Sequence, residues 1–447
     1  MATDNNAYNG VSRREALHRL ATLTGGVALA GAAVEATAQA AKSPFTRAEE
    51  TLLEEIARAA FRYFDENAHP RTGLVKARSN ANGTDKRRVA SLAATGFGLT
   101  ALCIAEKRRY LTRAQARARV LSALRFLVAE MPHQRGFYHR YIDWETGARL
   151  QQSEVSSVDT ATLICGALTC RHHFEEKDIA ALAFRLYERV DWPWMLNGGK
   201  TFTQGWTPER GFMAERWDAY AEHMMLNLLA LGSPAKPVPA ETWAAWARPR
   251  IEFLGDRFIH ARSSLYVHQY SHAWFDFRGR SDAYADYFQN SVAATRAHRN
   301  FCLNAPLGNG FGFTENIWGV SASESPNGYK DWGGPPGFGG LDGTIVPYAT
   351  AGSLPFLPGP TMAVQTEMRR LYSKEIWRRY GFADAFNTIT GWVSPDVLGV
   401  DLGLTLLMIE NARTGFVWEL FTQNDEPARG MAKAGFKLGS ERAAPPR

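Results

Sequence analysis

Residues 215–232 read ERWDAYAEHMMLNLLALG, and their reading decides the fold. From Met224 to Leu231 every residue except Asn227 is apolar, so the segment predicts a helix buried on nearly all its faces. Gly232 and Pro234 end it. Extended backwards to Trp217, the same helix carries Asp218 and Glu222 four residues apart on one face. Two acids held together in poorly solvated surroundings repel, which raises at least one pKa and leaves the protonated carboxyl that a general acid needs. The plainer reading is that both acids only bond backbone or arginine side chains between packed helices.

Outward from this stretch the pattern is helix after helix. Apolar residues at helical spacing predict helices over 47–67, 88–107, 112–131, 156–172, 178–190, 240–258, 281–303, 361–380 and 401–412. Thr112 caps one of them, Pro132 stops it, and Ser156 with Asp159 has capping-box spacing. Strand-like pieces are short, as at 137–142 before a turn at 143–147. Short connections alternate with long ones rich in Gly, Trp and Pro, at 192–211 and 304–343. Paired helices wound into a closed ring, with the long loops on one face, satisfy that alternation, so a single all-α, α/α toroid over 41–447 is the expected architecture.

The first 40 residues have another role. Ser12-Arg13-Arg14 precedes a weakly apolar run that closes on Ala38-Gln39-Ala40, the layout of a twin-arginine signal peptide. It implies export by the twin-arginine machinery and a periplasmic or secreted mature protein. The segment carries three basic and three acidic residues, so its removal leaves the net charge of +6 unchanged. That modest charge, with no basic stripe, argues against nucleic acid as a partner. No run reaches the roughly 18 apolar residues of a membrane span. Cys103, Cys165, Cys170 and Cys302 are scattered without metal-site spacing and read as buried thiols.

Chemistry is left to carboxylates and aromatics. The Gly-rich loop WGGPPGFGGLDG at 332–343 lacks the Lys-Ser/Thr of a phosphate loop, and G-x-S-x-G and H-E-x-x-H are absent. Acids beside loop-like aromatic sequence are Asp143 in the run from His139 to Glu145, Glu154 and Asp159 around a helix start, the Asp218 and Glu222 pair, and Asp401 at the head of an apolar helix. Their plainer roles are a hairpin turn for Asp143, a capping box for Asp159 and an N-cap for Asp401. His268 and His272 lie in the run HQYSHAWFD. With no third ligand at a recognisable spacing, hydrogen bonds to sugar hydroxyls or backbone suit them better than a metal. Trp206, Trp274, Trp318, Trp332 and Trp392 are candidate sugar platforms, each of which could equally be packing.

In one order the chain carries GFYHRYIDWETG (136–147), SEVSSVDTA (153–161), AYAEHMMLNLLALGS (219–233), HQYSHAWFDFRG (268–279), DYFQNSVAAT (286–295), DGTIVPYATAGSLPF (342–356), YGFADAFN (380–387) and GVDLGLTLLMIENARTGFVW (399–418). These motifs resemble the glucoamylase-like domain of glycoside hydrolase family 144, from about Phe61 to Trp418. The resemblance implies an (α/α)6 toroid and hydrolysis of β-1,2-glucan with inversion, usually endo-acting, with no metal or organic cofactor. It implies Glu222 as general acid and Asp401 as the acid on the opposite wall that activates water. Asp143, Glu154 and Asp159, with His139 and His272, match polar positions lining the cleft. The neighbours of both acids depart from the family's pattern, at Ala221-Glu222-His223 and at Asp401-Leu402-Gly403-Leu404. The chemistry expected is Glu222 kept protonated by its apolar helix and by Asp218, with Asp401 ionised at a wetter helix start. The alternatives are an exo-acting, sophorose-releasing enzyme, a transglycosylase, a lyase on a similar toroid, and a periplasmic glucan-binding protein without turnover.

Overall fold

A computed structural model describes residues 43–83, 85–304 and 312–439, so the expected signal segment lies outside the described residues. The described residues belong to one compact unit. Ten helices of nine residues or more occur among them. They are α1 (Arg47–Asn67), α2 (Leu92–Lys107), α3 (Arg113–Ala129), α4 (Ser157–Phe174), α5 (Lys177–Glu188), α6 (Met224–Gly232), α7 (Tyr287–Leu303), α8 (Pro358–Leu371), α9 (Gly399–Thr414) and α10 (Asp425–Lys433).

Six elements form an inner ring. α2, α4, α6 and α9 are buried on nearly every face, as an all-round apolar helix must be, and the single segment 265–273, made of two consecutive 3-10 turns, and the helix Pro347–Ala351 complete it as the fifth and sixth. Each inner element touches the next: α2 packs on α4, α4 on α6, Pro347–Ala351 on α9, and α9 on α2. Ser271 Oγ accepts from Met225 N at 3.1 Å, and Gln269 Nε2 donates to Ala349 O at 2.8 Å, which joins the remaining neighbours. The amphipathic helices α1, α3, α5, α7 and α8 lie between these in sequence. This is the (α/α)6 toroid.

Close approach in the ring depends on glycine. A Cβ on Gly166 of α4 would stand 2.2 Å from the carbonyl oxygen of Gly96 in α2. α6 meets α10 in the same way, since a Cβ on Gly232 or Gly430 would fall about 2 Å from a backbone oxygen of the other helix.

Three expected helices change form. Residues 240–258 hold only the short helix Glu241–Ala244, then a hairpin pairing Arg250–Phe253 with Asp256–Ile259. Pro249 supplies no N–H for a continuing helix, and Leu254 and Gly255 both take positive φ, as a two-residue hairpin turn requires. With no long helix there, α10 from the C-terminal region packs against α6. Residues 361–380 give α8 and then a hairpin pairing Trp377 with Phe382. The helix expected from Trp217 begins only at Met224, because the preceding backbone is already bonded: Trp217 N donates to Phe202 O, Ala247 N to Asp218 O and Tyr220 N to Ala247 O, all within 2.8 Å.

Candidate active site

The acidic residues of interest gather where the inner elements begin. Asp159 and Asp401 occupy the first turns of α4 and α9, Glu222 is the second residue before α6, and Tyr348 stands at the start of Pro347–Ala351. Helix N-termini carry partial positive charge, so a ring of them favours carboxylates and developing negative charge on this face. The connections at 130–156, 312–343 and 372–398 bring Arg140, Tyr329, Asp331 and Asp384 to the same face.

Glu222 is half-buried in a turn whose carbonyl accepts from Ser271 Oγ at 2.8 Å. Its carboxyl is raised to about 7. Burial is the main cause, and the negative fields of Asp159 and Asp331 add to it, against its own backbone amide and Arg140. The acids that reach Glu222 are therefore Asp159 and Asp331 in place of the expected Asp218. Asp218 is exposed on the extended segment, where the i and i+4 relation of a helix does not apply. The neighbouring His223 is fully buried, stacked on Trp217 at 5.4 Å, with burial lowering it to about 3, so it stays neutral beside the acid.

Arg140 anchors one wall. It lies 3.7 Å from Glu154 and within the field of Asp159, which holds it firmly charged. Asp159 is buried and its carboxyl raised, burial outweighing Arg140 and Ser156; its backbone N–H is capped by Ser156 Oγ at 3.2 Å. The capping role and a place in the cleft coexist. Asp331 accepts from Ser263 Oγ and from Ser264 N, the latter at 3.1 Å.

Asp401 anchors the opposite wall and corrects the expectation of a wet, ionised base. It is 4 % exposed, and burial, together with Asp384, raises it well above the ordinary carboxylate range. Asp384 is equally buried, on the loop between Gly381–Phe382 and Phe386–Asn387, and hydrogen-bonds Asp401. Its carboxyl is raised to about 6, by burial first, with Asp401 and the Glu324 amide opposing. Glu324 N donates to Asp384 Oδ2 at 2.9 Å, and Arg78 pairs with Glu324 at 2.5 Å. A cavity of about 30 Å³ runs from this pair back to Ile56 and Ala60 of α1, and Glu222 is not among its lining residues.

Three tyrosines connect the walls. Tyr270 feels the charge of both Asp401 and Glu222; Tyr266 feels Glu222, Asp331 and Arg140; Tyr329 feels Asp401, Asp384 and Asp331. Burial raises all three phenols, so they remain neutral hydrogen-bond donors. Glu222 and Asp401 thus both act on Tyr270, from the two walls.

Other expected site residues do different work. His272 is fully buried with Nε2 at 3.1 Å from Ser291 Oγ, among Phe277, Phe288 and Phe356, and burial lowers it to about 3. Trp274 is equally buried, donates to Thr100 Oγ1 at 2.9 Å and lies on Phe97. Trp318 is also core. Apolar neighbours that are remote in sequence decide these three. Trp332 is buried too, with Lys330 Nζ 5.0 Å from the ring centre. Asp143 turns the hairpin: burial opposes its charge, but Arg88 and Thr146 outweigh that and hold it at about 2. His139 is half-buried and bonded through Nδ1 to Ser153 O at 3.0 Å. Sequence reasoning passed over Arg78, Glu324, Tyr329, Asp331 and Asp384; only Asp384 carried a signal, in YGFADAFN.

Among the described residues no group of three or more His, Cys, Asp or Glu could hold a metal ion, and no helix is long and apolar enough to cross a membrane.

Known proteins resemble this arrangement. Residues 214–425, which contain Glu222, Asp384 and Asp401, match the family model described as "Putative glucoamylase", and residues 55–170 match one for a protein of unknown function. The exo β-1,2-glucooligosaccharide sophorohydrolase (non-reducing end) of Parabacteroides distasonis is 27% identical over 89% of this chain; the chain spans 59% of that relative's length. The endo-β-1,2-glucanase of Chitinophaga pinensis, solved with sophorotriose and glucose, superposes with a TM-score of 0.82 at 27% identity, over 87% of this chain and 98% of that one. A structure from Bacteroides uniformis described as a "putative glucoamylase" gives 0.82 at 26%, over 88% and 99%. Residues 214–425 are therefore similar to the glucoamylase family, the fold is the (α/α)6 toroid, and β-1,2-glucan hydrolases are among the chain's neighbours in sequence and structure.

Proposed function

We propose that the protein is an inverting glycoside hydrolase of β-1,2-glucan, endo-acting, with Glu222 as general acid and Asp401 on the base side. The observation that carries this reading is a carboxyl raised to about 7 that shares the cleft, across Tyr270, with a second buried carboxyl. Glu222 gives its proton to the glycosidic oxygen as the C1–O bond breaks. Water attacks C1 from the opposite face and loses a proton on the Asp401 side, so configuration inverts. Arg140, Glu154 and Asp159 supply hydrogen-bonding groups for sugar hydroxyls beside the acid. The Parabacteroides relative's name favours an exo alternative, in which disaccharides leave one end. No cofactor enters either scheme.

Incubation with linear and with cyclic β-1,2-glucan tests this. A ladder of shrinking oligomers from both substrates is expected. Sophorose alone, from the linear polymer only, would establish the exo reading, and no product from either would refute hydrolysis of this linkage. The layout of residues 1–40 supports export by the twin-arginine route to the periplasm. Replacing Arg13 and Arg14 by Lys should retain the protein in the cytoplasm, as fractionation would reveal.

A further inference from the structure

The cleft holds one acid proton more than the hydrolase scheme uses. Asp384 Oδ1 and Asp401 Oδ2 are buried without an N–H or O–H partner, although the two carboxyls hydrogen-bond each other. Two ionised carboxylates only accept, so the contact exists only if a proton lies between them. The remaining groups fix where the charge settles. Glu324 N holds Asp384 Oδ2, Glu324 itself is paired with Arg78, and Tyr270, Tyr329 and Tyr348 all feel the charge of Asp401 with their phenols protonated. Asp384 thus has the amide donor that favours its charged form, and the shared proton rests on Asp401, which can pass it to Asp384 as it takes one from water.

We propose that Asp384 and Asp401 act as one proton-sharing unit, so that the base opposite Glu222 is the singly protonated pair, with Asp384 positioning Asp401 and receiving its proton as Asp401 accepts one from water. This rests on the hydrolase reading above. In the reaction the pair begins with one proton and one negative charge. Water forms its bond to C1 and releases a proton to the pair, which becomes neutral. Glu222 loses its proton to the leaving oxygen, and both groups return to their starting states through solvent, with one water consumed. The arrangement lets a carboxylate act as a base in a buried site, because the shared proton stabilises the monoanion.

The test is the pH profile of kcat on linear β-1,2-glucan for wild type, Asp384→Ala and Asp384→Asn. Asp384→Ala should lower kcat by about 100-fold with KM nearly unchanged. It should also move the acidic limb up by about one pH unit, since Asp401 alone must ionise without a shared proton. Asp384→Asn, whose amide can donate to the Asp401 carboxylate, should bring the limb back down. A limb that moves in neither variant overturns the proposal. The infrared carbonyl band of a protonated carboxylic acid at neutral pH provides a readout that needs no turnover. The band should persist in Glu222→Gln and weaken in both Asp384→Asn and Asp401→Asn; an unchanged band in Asp384→Asn overturns the pairing. If wild type leaves the glucan intact, the hydrolase reading fails while the infrared result still judges the pair.

Discussion

At the scale of single residues, Glu222 and His272 show what burial does to opposite kinds of acid. Burial disfavours the charged form of each, so the carboxyl rises to about 7 and the imidazole falls to about 3. Turnover should therefore decline as pH rises through about 7, where Glu222 loses its proton. Glu222→Gln should reduce kcat by about 10²- to 10⁴-fold, and an activated aryl leaving group, which needs no acid, should restore much of it. Stability follows the same shift. Between the ordinary carboxyl range and about 7 the native state binds the proton that the unfolded state has released, so stability falls as pH rises across that window. Glu222→Gln should thus be more stable than wild type at pH 8 by up to a few kcal/mol, and no more stable at pH 4, as paired thermal melts would show. Trp274→Ala should act through the core, costing about 3–5 kcal/mol with KM unchanged in the protein that still folds.

At the scale of elements, glycine decides how near the inner helices come. Gly166→Ala places a methyl against the Gly96 carbonyl and should lower the melting temperature, whereas Gly359→Ala on α8 meets open space and should be neutral or stabilising by up to about 1 kcal/mol. The elements also show what was legible. α1 was legible to its last residue because its apolar stripe has one period; the Thr46 and Glu49 capping box that starts it is a finding of the structure. Residues 240–258 misled because Trp243, Trp246, Ile251, Phe253 and Phe258 suit a helix face and a hairpin face alike, while Pro249 and Gly255 carried the distinction. Asp218 was drawn to Glu222 by a helical spacing that applies only within a helix. Asp384 stayed hidden as a pair partner because it meets Asp401 across 16 intervening residues, a separation no local pattern encodes.

At the scale of the molecule, the ring gathers buried acids where inner helices start, so one architecture provides both the rigid wall and the positive ends that tolerate them. The same closure joins helices far apart in sequence. α1 lies against α9, and Arg413 of α9 pairs with Glu50 and Glu54 of α1 at 2.7 and 3.0 Å. α10 covers α6 through the contact at Gly232 and Gly430. During synthesis, then, most of the toroid leaves the ribosome before its closing helices have been translated, and the apolar flanks of α1, α2 and α6 wait for partners still unmade. A stop codon ahead of Asp425 should release an aggregating fragment and no smaller working enzyme, as the solubility of the truncated product would show.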